Sequence, residues 1–406
     1  MDQSVAAIDL GTTKICTLIA EVPESGKTLH IVGVGVEPSR GLRKGVVVNV
    51  NEAAEAIAAS VESARRVSGL PIEAAFVGIG GNHLTAVNSR GVAAITRPDR
   101  GVCQDDVDRA LQGAKAIAIQ HNQVVLRALP RRYSIDSNDG ITEPLGMHGH
   151  RIEVEAHVIT CAESSQQNLI ECVEAAGVAP LGPVPQPIAA AEAVLRQEER
   201  DAGVVLIDIG GGTTDIAVFI DGSIYHTAIL PIGGMNITSD IAYGMRAPFE
   251  VAEEIKVTRG HAVPEKVRPD ETVDVTSFGE ESPQLFARAY LAQIIQARVE
   301  EIFGLVLKEI RHSGYDVLLS AGAVLCGGTA QLPGIKEAAK NALGMPVRIG
   351  IPGDIEGLVD TITTPAYATA VGLLRWGLDE IPKSMTQQTD SIVRRILDWI
   401  KEMGPG

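Results

Sequence analysis

Aromatic residues are scarce. Phe, Tyr and Trp together make up 3% of the 406 residues, so the core must be built largely from Ala, Val, Ile and Leu. Positive charge is also short, with 35 Lys+Arg against 51 Asp+Glu and a formal net charge of −16. That balance argues against a general nucleic-acid binder, which needs a basic face to displace counterions from phosphates. Cysteine is sparse and unpatterned: Cys16, Cys103, Cys161, Cys172 and Cys326 show neither CxxC nor Cys/His ligand spacing. Such a set points to reduced thiols in a cytosol rather than to structural zinc. His148 and His150, in a Gly-rich loop, are too few for a metal site. No apolar run reaches about 18 residues, so no transmembrane helix is expected. The opening MDQSVAAIDLGTTK lacks the basic-then-apolar order of a secretion signal. The expectation is a soluble, cytoplasmic chain unless something tethers it. With 45% hydrophobic and 21% charged residues, it has enough apolar material for a sizeable core. Its length suggests roughly two or three domains.

Short β-rich runs alternate with longer helical patterns. Residues 5–10, 16–22 and 30–36 read as strands divided by Gly, Ser and Pro turns. Residues 53–68 carry helical apolar spacing and close at Gly69 and Pro71, and 74–79 is a further buried strand. This is an α/β layout with helices covering a mixed sheet. From 84 to 160 the texture turns more polar, with a helix expected over 105–119 and strands over 124–129 and 152–159 flanking a loop at 137–150. This block reads as an inserted subdomain. A second β-rich run, 204–209, 215–220 and 223–229, repeats the opening design of strand, Asp-x-Gly, Thr-Thr, strand, turn, strand. Such internal duplication is more informative than either copy alone. Helical patterns then cover 237–243, 248–259 and 284–313, a strand at 324–326 enters Gly327-Gly328, and 364–378 is a small-residue helix. A polar linker over 379–390 precedes a final amphipathic segment.

The chemistry concentrates in three Gly-rich loops. Asp9, Gly11, Thr12, Thr13 and Lys14 lie between two strands, and Asp208, Gly210, Gly211, Gly212, Thr213 and Thr214 repeat the arrangement about two hundred residues later. The glycines let backbone N–H groups approach a polyphosphate, the Thr hydroxyls add donors, and Lys14 adds a point charge. Asp9 and Asp208, each at a strand end, suit Mg²⁺ held through water, since that ion keeps several waters and takes few carboxylates. The third loop, Gly327, Gly328 and Thr329, has a strand-Gly-Gly-turn-helix form that can pass an adenine and ribose against bare backbone. Neither Asp-x-Gly loop has the Walker A spacing.

Together these loops resemble those of the actin, Hsp70 and sugar-kinase ATPase superfamily, in which two lobes each carry a phosphate hairpin. Two Ala-rich stretches, Gln186-Pro187-Ile188-Ala189-Ala190-Ala191 and Pro365-Ala366-Tyr367-Ala368-Thr369-Ala370, resemble its connecting helices. Within the superfamily the chain is most similar to the FtsA family of bacterial cell-division proteins, over nearly its whole length. The resemblance is carried by Ala7-Ile8-Asp9-Leu10-Gly11-Thr12-Thr13-Lys14, Val77-Gly78-Ile79-Gly80-Gly81-Asn82-His83, Asp139-Gly140-Ile141 and Pro144-Leu145-Gly146-Met147. Thr238-Ser239-Asp240-Ile241-Ala242, Ala252-Glu253-Glu254-Ile255-Lys256 and Val371-Gly372-Leu373-Leu374 complete it.

The resemblance implies a two-lobed actin-like ATPase fold with a 1C-type insertion and a C-terminal amphipathic helix. Subdomain 1A would comprise 1–83, 161–203 and 358–380; 1C would be 84–160; 2A would be 204–243 and 314–357; and 2B would be 244–313. A linker over 381–390 and a membrane-targeting helix over 391–403 would follow. It also implies ATP and Mg²⁺ as ligands, with Glu253 and Lys256 at the nucleoside and Gly233-Gly234 lining the cleft from a helix start. Read alone, an i,i+3 Glu–Lys pair is an ordinary surface pair. Gln186 matches the position that orients the attacking water in hydrolytic relatives. Gln is a poor base, so slow turnover or nucleotide-dependent switching is expected, with Gln186 and Asp208 as the catalytic candidates.

In the tail, Ile392, Val393, Ile396, Leu397, Ile400 and Met403 share one helical face, Trp399 flanks it, and Arg394, Arg395 and Lys401 lie opposite. This suits a helix lying in an anionic membrane interface, although packing on its own domain would use the same face. The family likeness implies membrane attachment at the cytoplasmic face of the division site, self-association into filaments, and binding of the FtsZ C-terminal tail through subdomain 2B, with Arg288 at the contact. A PilM-type pilus-assembly homologue and a small-molecule kinase of the same fold are the alternative readings.

Overall fold

In the computed structural model, residues 3–22, 28–118, 121–279 and 282–380 are described. Two sheets of one design form the framework. The first runs Ala179–Pro185, Ala74–Ile79, Gln3–Leu10, Lys14–Val22, Leu29–Pro38, Ile355–Gly357; the second runs Val347–Ile349, Gly322–Cys326, Val204–Ile209, Thr214–Ile220, Ser223–Leu230. In each, a leading strand forms an antiparallel hairpin with the next, which pairs antiparallel with a third. On its other side the leading strand is parallel to a strand reached by a long crossover. Residues of both leading strands are almost all buried, as expected of strands covered on both faces. Register fixes an equivalence between the copies. Leu10 lies opposite Ile15 and Asp9 opposite Cys16; Ile209 lies opposite Thr214 and Asp208 opposite Asp215. Thus Gly11 corresponds to Gly210, Lys14 to Thr213, and Cys16 to Asp215.

Helix Val50–Ser68 covers the first sheet. The Asn49 side chain caps its start by accepting from Glu52 N, and Gly69, in the left-handed region, ends it. Its buried stripe, Ala53, Ala56, Ile57, Ser60, Val61 and Ala64, lies close on the sheet: a Cβ at Gly35 would fall 2.0 Å from the Ser60 carbonyl oxygen. The first core runs from Val5 through Ile57 and Val184 to Ile362, Leu373 and Leu374. A separate core fills the second lobe, from Val205 through Phe303 to Val347.

A third, antiparallel sheet of Leu84–Ala94, Arg151–Ala162, Gln123–Ile135 and Asn138–Ile141 carries helix Gln104–Ala118 and its own small core. It also reaches the second lobe, where His157 Nδ1 and Nε2 meet Asn88 Oδ1 and Thr227 Oγ1 at 2.7 and 2.9 Å. Burial pushes the His157 imidazole down to about 3, so the ring is neutral there.

Three expectations from sequence are corrected. The stretch 137–150 is not all loop: Asp136 and Ser137, both at positive φ, turn the chain into strand Asn138–Ile141. The first four residues of 284–313 are not helical: Gln284–Ala287 pairs with Thr272–Val275, and the helix is Arg288–Ser313. The small-residue element at 364–378 opens with one tighter turn, Pro365–Tyr367, before helix Ala368–Glu380. That helix crosses Gln186–Val194 with almost no side chain between: a Cβ on Gly372 would sit 1.7 Å from the Ala189 carbonyl oxygen. Among the described residues no helix is long and apolar enough to cross a membrane. Residues 379 and 380, expected as the start of the linker, end helix Ala368–Glu380 instead; the rest of the linker and the amphipathic segment 391–403, with Ile392, Val393, Ile396, Leu397, Trp399, Ile400 and Met403, lie outside the described residues.

Candidate nucleotide site

Between the lobes lies a cleft of about 540 Å³, a size that suits a small-molecule ligand. Both hairpin turns open into it. In each, the first turn glycine closes the loop: Gly11 N donates to the Lys14 carbonyl at 3.0 Å and Gly210 N to the Thr213 carbonyl at 2.9 Å. The turns meet across the cleft. A Cβ on Gly211 would fall 2.4 Å from Thr13 Cγ2, and one on Gly212 would fall 2.8 Å from Thr12 Oγ1. Any side chain on the second turn would therefore have to displace the threonines of the first.

Beneath the turns, Asp9, Asp208 and Asp215 are all buried. Burial pushes Asp9 up to about 6, with the Asp208 charge also raising it, while Lys14 and a hydrogen bond from Gln186 pull the other way. Burial likewise raises Asp208, against hydrogen bonds from Thr369 and Cys326, and holds Asp215 well above the usual carboxylate range, with Asp208 adding repulsion. Thr369 Oγ1 donates to Asp208 Oδ2 at 3.1 Å, whereas Asp215 Oδ1 is buried with no hydrogen-bond partner. Among the described residues no three carboxylate, His or Cys side chains stand close enough to ligate one metal ion together; buried carboxylates that feel one another's charge, one with an orphaned oxygen, fit a hard divalent cation that keeps its own waters between itself and the protein. The Lys14 ammonium lies 3.2 Å from the Tyr367 ring centroid. Burial lowers its pKa, opposed by Cys16, Asp9 and Asp208.

Gln186, the first residue of its helix, is buried and donates through Nε2 to Asp9 Oδ1 at 3.0 Å and to the Leu10 carbonyl at 3.3 Å. Its Oε1 faces Gly80, where a Cβ would be 1.9 Å away. On the far wall, Lys256 Nζ donates to Glu253 Oε2 at 2.6 Å, to Thr238 Oγ1 at 2.8 Å and to the Gly234 carbonyl at 3.3 Å. Thr238 also donates to Glu253. The pair is thus built into the wall, not solvated on a free helix face. In the third loop, Gly327 takes φ 83°, and a Cβ there would meet Asp208 Oδ1 at 2.2 Å. Gly328 and Thr329 line the cleft beside it, and Thr329 Oγ1 donates to the Gly210 carbonyl at 3.0 Å.

Not every expected residue faces the cleft. Gly212 packs behind the turn against Thr12 and Lys44, and Thr214 is buried with its hydroxyl on the Ile232 carbonyl. Gly233 N donates to Asn236 Oδ1, while Gly234 N and Met235 N donate to the Gly210 and Gly211 carbonyls. The first amides of that helix therefore tie down the hairpin turn. Arg288, at the start of its long helix, donates to the Arg259 carbonyl at 2.8 Å and pairs with Glu271, so its guanidinium is held on the protein. Asp215, Thr369, Tyr367 and Thr238 carry no site role in the sequence reading, although the last three stand in its motifs. Asp215 had a signal: it stands directly across the hairpin from Asp208, on the same face.

A Pseudomonas aeruginosa cell division protein FtsA is 43% identical to this chain, over 98% of this chain and 97% of that protein. The chain belongs to the FtsA family. The family model described as cell division protein FtsA matches residues 205–372, and that of the SHS2 domain inserted in FtsA matches 81–160. The Escherichia coli FtsA is 35% identical over 98% of this chain and 97% of its own length, and the Bacillus subtilis FtsA 38% over 91% and 82%. Its role is accordingly that of the FtsA family, in bacterial cell division. Among solved structures, a PilM-PilN type IV pilus biogenesis complex aligns with TM-score 0.66 and 15% identity, covering 92% of this chain and 98% of that one. Spiroplasma citri MreB5 bound to ADP aligns with 0.55 and 12%, covering 93% and 99%. At these identities the likeness shows the fold, which is actin-like, a fold that generally binds nucleotide with a divalent metal. The pilus-assembly alternative shares only this fold, whereas identity over nearly the whole chain is to cell-division proteins.

Proposed function

We propose that the chain binds ATP with Mg²⁺ in the interlobe cleft, and that the nucleotide governs its self-association into filaments at the cytoplasmic face of the membrane, where it anchors FtsZ filaments at the division site. The observation that carries the reading is the pair of equivalent hairpin turns meeting above three buried carboxylates. The turn amides, Thr12, Thr13, Thr213 and Lys14 would cradle the phosphates. Asp9 and Asp208 would hold Mg²⁺ through water, with Asp215 beside them. Bound there, the ion would offset the buried negative charge and supply charge stabilisation to the phosphates. Glu253, Lys256, Gly234, Gly327, Gly328 and Thr329 would form the nucleoside wall. Gln186 has its amide N–H₂ engaged by Asp9 and Leu10, which leaves only its carbonyl oxygen to orient a water. An amide is a poor base, so this supports switching with slow hydrolysis.

The partition into 1A, 1C, 2A and 2B given above belongs to this reading, as do the membrane helix at 391–403 and an FtsZ-tail site on 244–313. There Arg288 would exchange Glu271 for an acid of the partner. Titration calorimetry with Mg-ATP tests the site: Asp208→Ala should abolish binding, while Gln186→Ala should keep it and change turnover. Unchanged affinity in the Asp208 variant would refute the assignment. Co-sedimentation with anionic liposomes tests the tether, since a chain ending at Lys383 should stay in the supernatant where the full chain pellets.

A further inference from the structure

Between the first sheet and helix Val50–Ser68 the chain makes a small ribbon, Leu42–Arg43 against Val46–Val47. Its tip is a two-residue turn, Lys44-Gly45, with φ of 50° and 75°. Positive φ at both central positions is the hairpin turn that favours Asn-Gly. Gly45 meets that demand, but Lys44 does not, because a long side chain in the left-handed region is uncommon. An unfavourable residue held in such a turn directs attention to its side chain.

Gly45 brings the tip to the cleft, and Lys44 stands next to it at the rim, on the outer side of the second turn. A Cβ on Gly212 would lie 3.1 Å from Lys44 Cα, so the first lobe's ribbon touches the second lobe's hairpin turn. A Cβ on Gly45 would lie 2.7 Å from Gly81 N, beside the Gly80 that faces Gln186, and Gly45 itself lines the cleft. At the ribbon's base, the Gly41 carbonyl accepts from both Val48 N and Asn49 N, which fixes where the tip sits. Lys44, Arg43 and Arg40 are exposed, and their side chains make no hydrogen bond or ion pair among the described residues, in a chain of net charge −16. The two cations that line the cleft are already engaged, Lys14 over the Tyr367 ring and Lys256 with Glu253. Of those two, only Lys14 stands at the phosphate turns, because Lys256 belongs to the wall opposite, beside Gly234 and Thr238.

We propose that Lys44 is the cation that closes over the outermost phosphate of a bound nucleoside triphosphate, so that the ribbon tip distinguishes triphosphate from diphosphate. This rests on the nucleotide reading of the cleft. A flexible four-carbon stem with a compact ammonium suits such a reach from a fixed turn. Because the ribbon touches Gly212 of the other lobe, the same contact would couple the terminal phosphate to the spacing of the lobes.

The test is calorimetric binding of Mg-ATP and Mg-ADP to the full chain, to Lys44→Asn and to Lys44→Arg. Asn suits the turn, so Lys44→Asn should melt no lower than wild type without nucleotide. It should lose about tenfold in ATP affinity, the scale of a charge-assisted contact, with ADP affinity little changed. Lys44→Arg should bind both nucleotides as wild type does, and Lys44→Gln, which keeps the stem, should match Lys44→Asn. Equal losses for the two nucleotides, or no loss, would overturn the proposal. Asp208→Ala separates the two failures. If Asp208→Ala loses both nucleotides while Lys44→Asn keeps wild-type values, the ribbon role alone falls. If wild type binds neither nucleotide, the cleft reading falls with it.

Discussion

The two hairpins share strand order, register and turn closure, yet they divide the chemistry unequally. The first supplies bulk and charge: Thr12 and Thr13 at the tip, Lys14 at the turn's end, and a buried Cys16 thiol facing Asp9 across the ladder. The second supplies bare backbone at its tip, Gly211 and Gly212, and acid below, with Asp215 where the first has Cys16. A duplicated unit placed face to face cannot keep both tips bulky, since the threonines of one occupy the space where side chains of the other would lie. Nor is the charge mirrored. One hairpin brings the cation and the other the second and third carboxylates, which makes the cleft polar from lobe to lobe.

Breaking the steric half of this asymmetry should have the largest effect. Gly211→Val drives a side chain into Thr13 and should weaken Mg-ATP binding by about a hundredfold, the scale of an overpacked contact. Adding Thr13→Gly to that variant should return most of the affinity in the same titration. Removing the unmatched acid should act next, and on stability. A carboxyl whose pKa is raised by the fold stabilises the native state only while protonated; that contribution is present below the unfolded value and is lost as pH rises through the folded one. Asp215→Asn should therefore stabilise the ligand-free protein by about 1–3 kcal/mol at pH 7, with the gain vanishing toward about pH 4. Urea unfolding at the two pH values reads this directly, and Mg²⁺ should lose part of its stabilising effect in the variant. The smallest effect concerns the first hairpin's cation. Tyr367→Leu removes the ring under Lys14 and should cost about 0.5–2 kcal/mol of ATP binding, with the fold's melting point little changed.

Much of this was legible in the sequence because the hairpins are local. Asp9, Gly11 and the threonines sit within a few residues of one another, and the second copy repeats them, so spacing alone recovers both turns. What escaped was non-local or too short to carry a period. Strands Ala179–Pro185 and Ile355–Gly357 gain their identity from partners far away in the chain. Gln284–Ala287 offers two large apolar residues, Leu285 and Phe286, which fit a helix start and a strand equally; its pairing with Thr272–Val275 decides. In the site, Asp9, Asp208, Glu253 and Lys256 reach the cleft. Gly212, Thr214 and Gly233 stand one layer behind it, because motif membership does not say which side of a turn faces inward. The clamp of Gly372 on Ala189 needed two segments brought together, and only their small residues hinted at it.

The route of the chain through the first sheet has a consequence for synthesis. The second sheet is completed by residues 204–349, a contiguous stretch. The first sheet takes its last strand from Ile355–Gly357, and its core takes in Ile362, Leu373 and Leu374. On a ribosome, the half that begins first is therefore finished last, its final strand and helix emerging only after the other half is whole. The early segments must wait with an unfilled edge and an open apolar face. A stall that leaves residue 349 just clear of the exit tunnel should leave a folded second lobe beside a first lobe still lacking its edge strand.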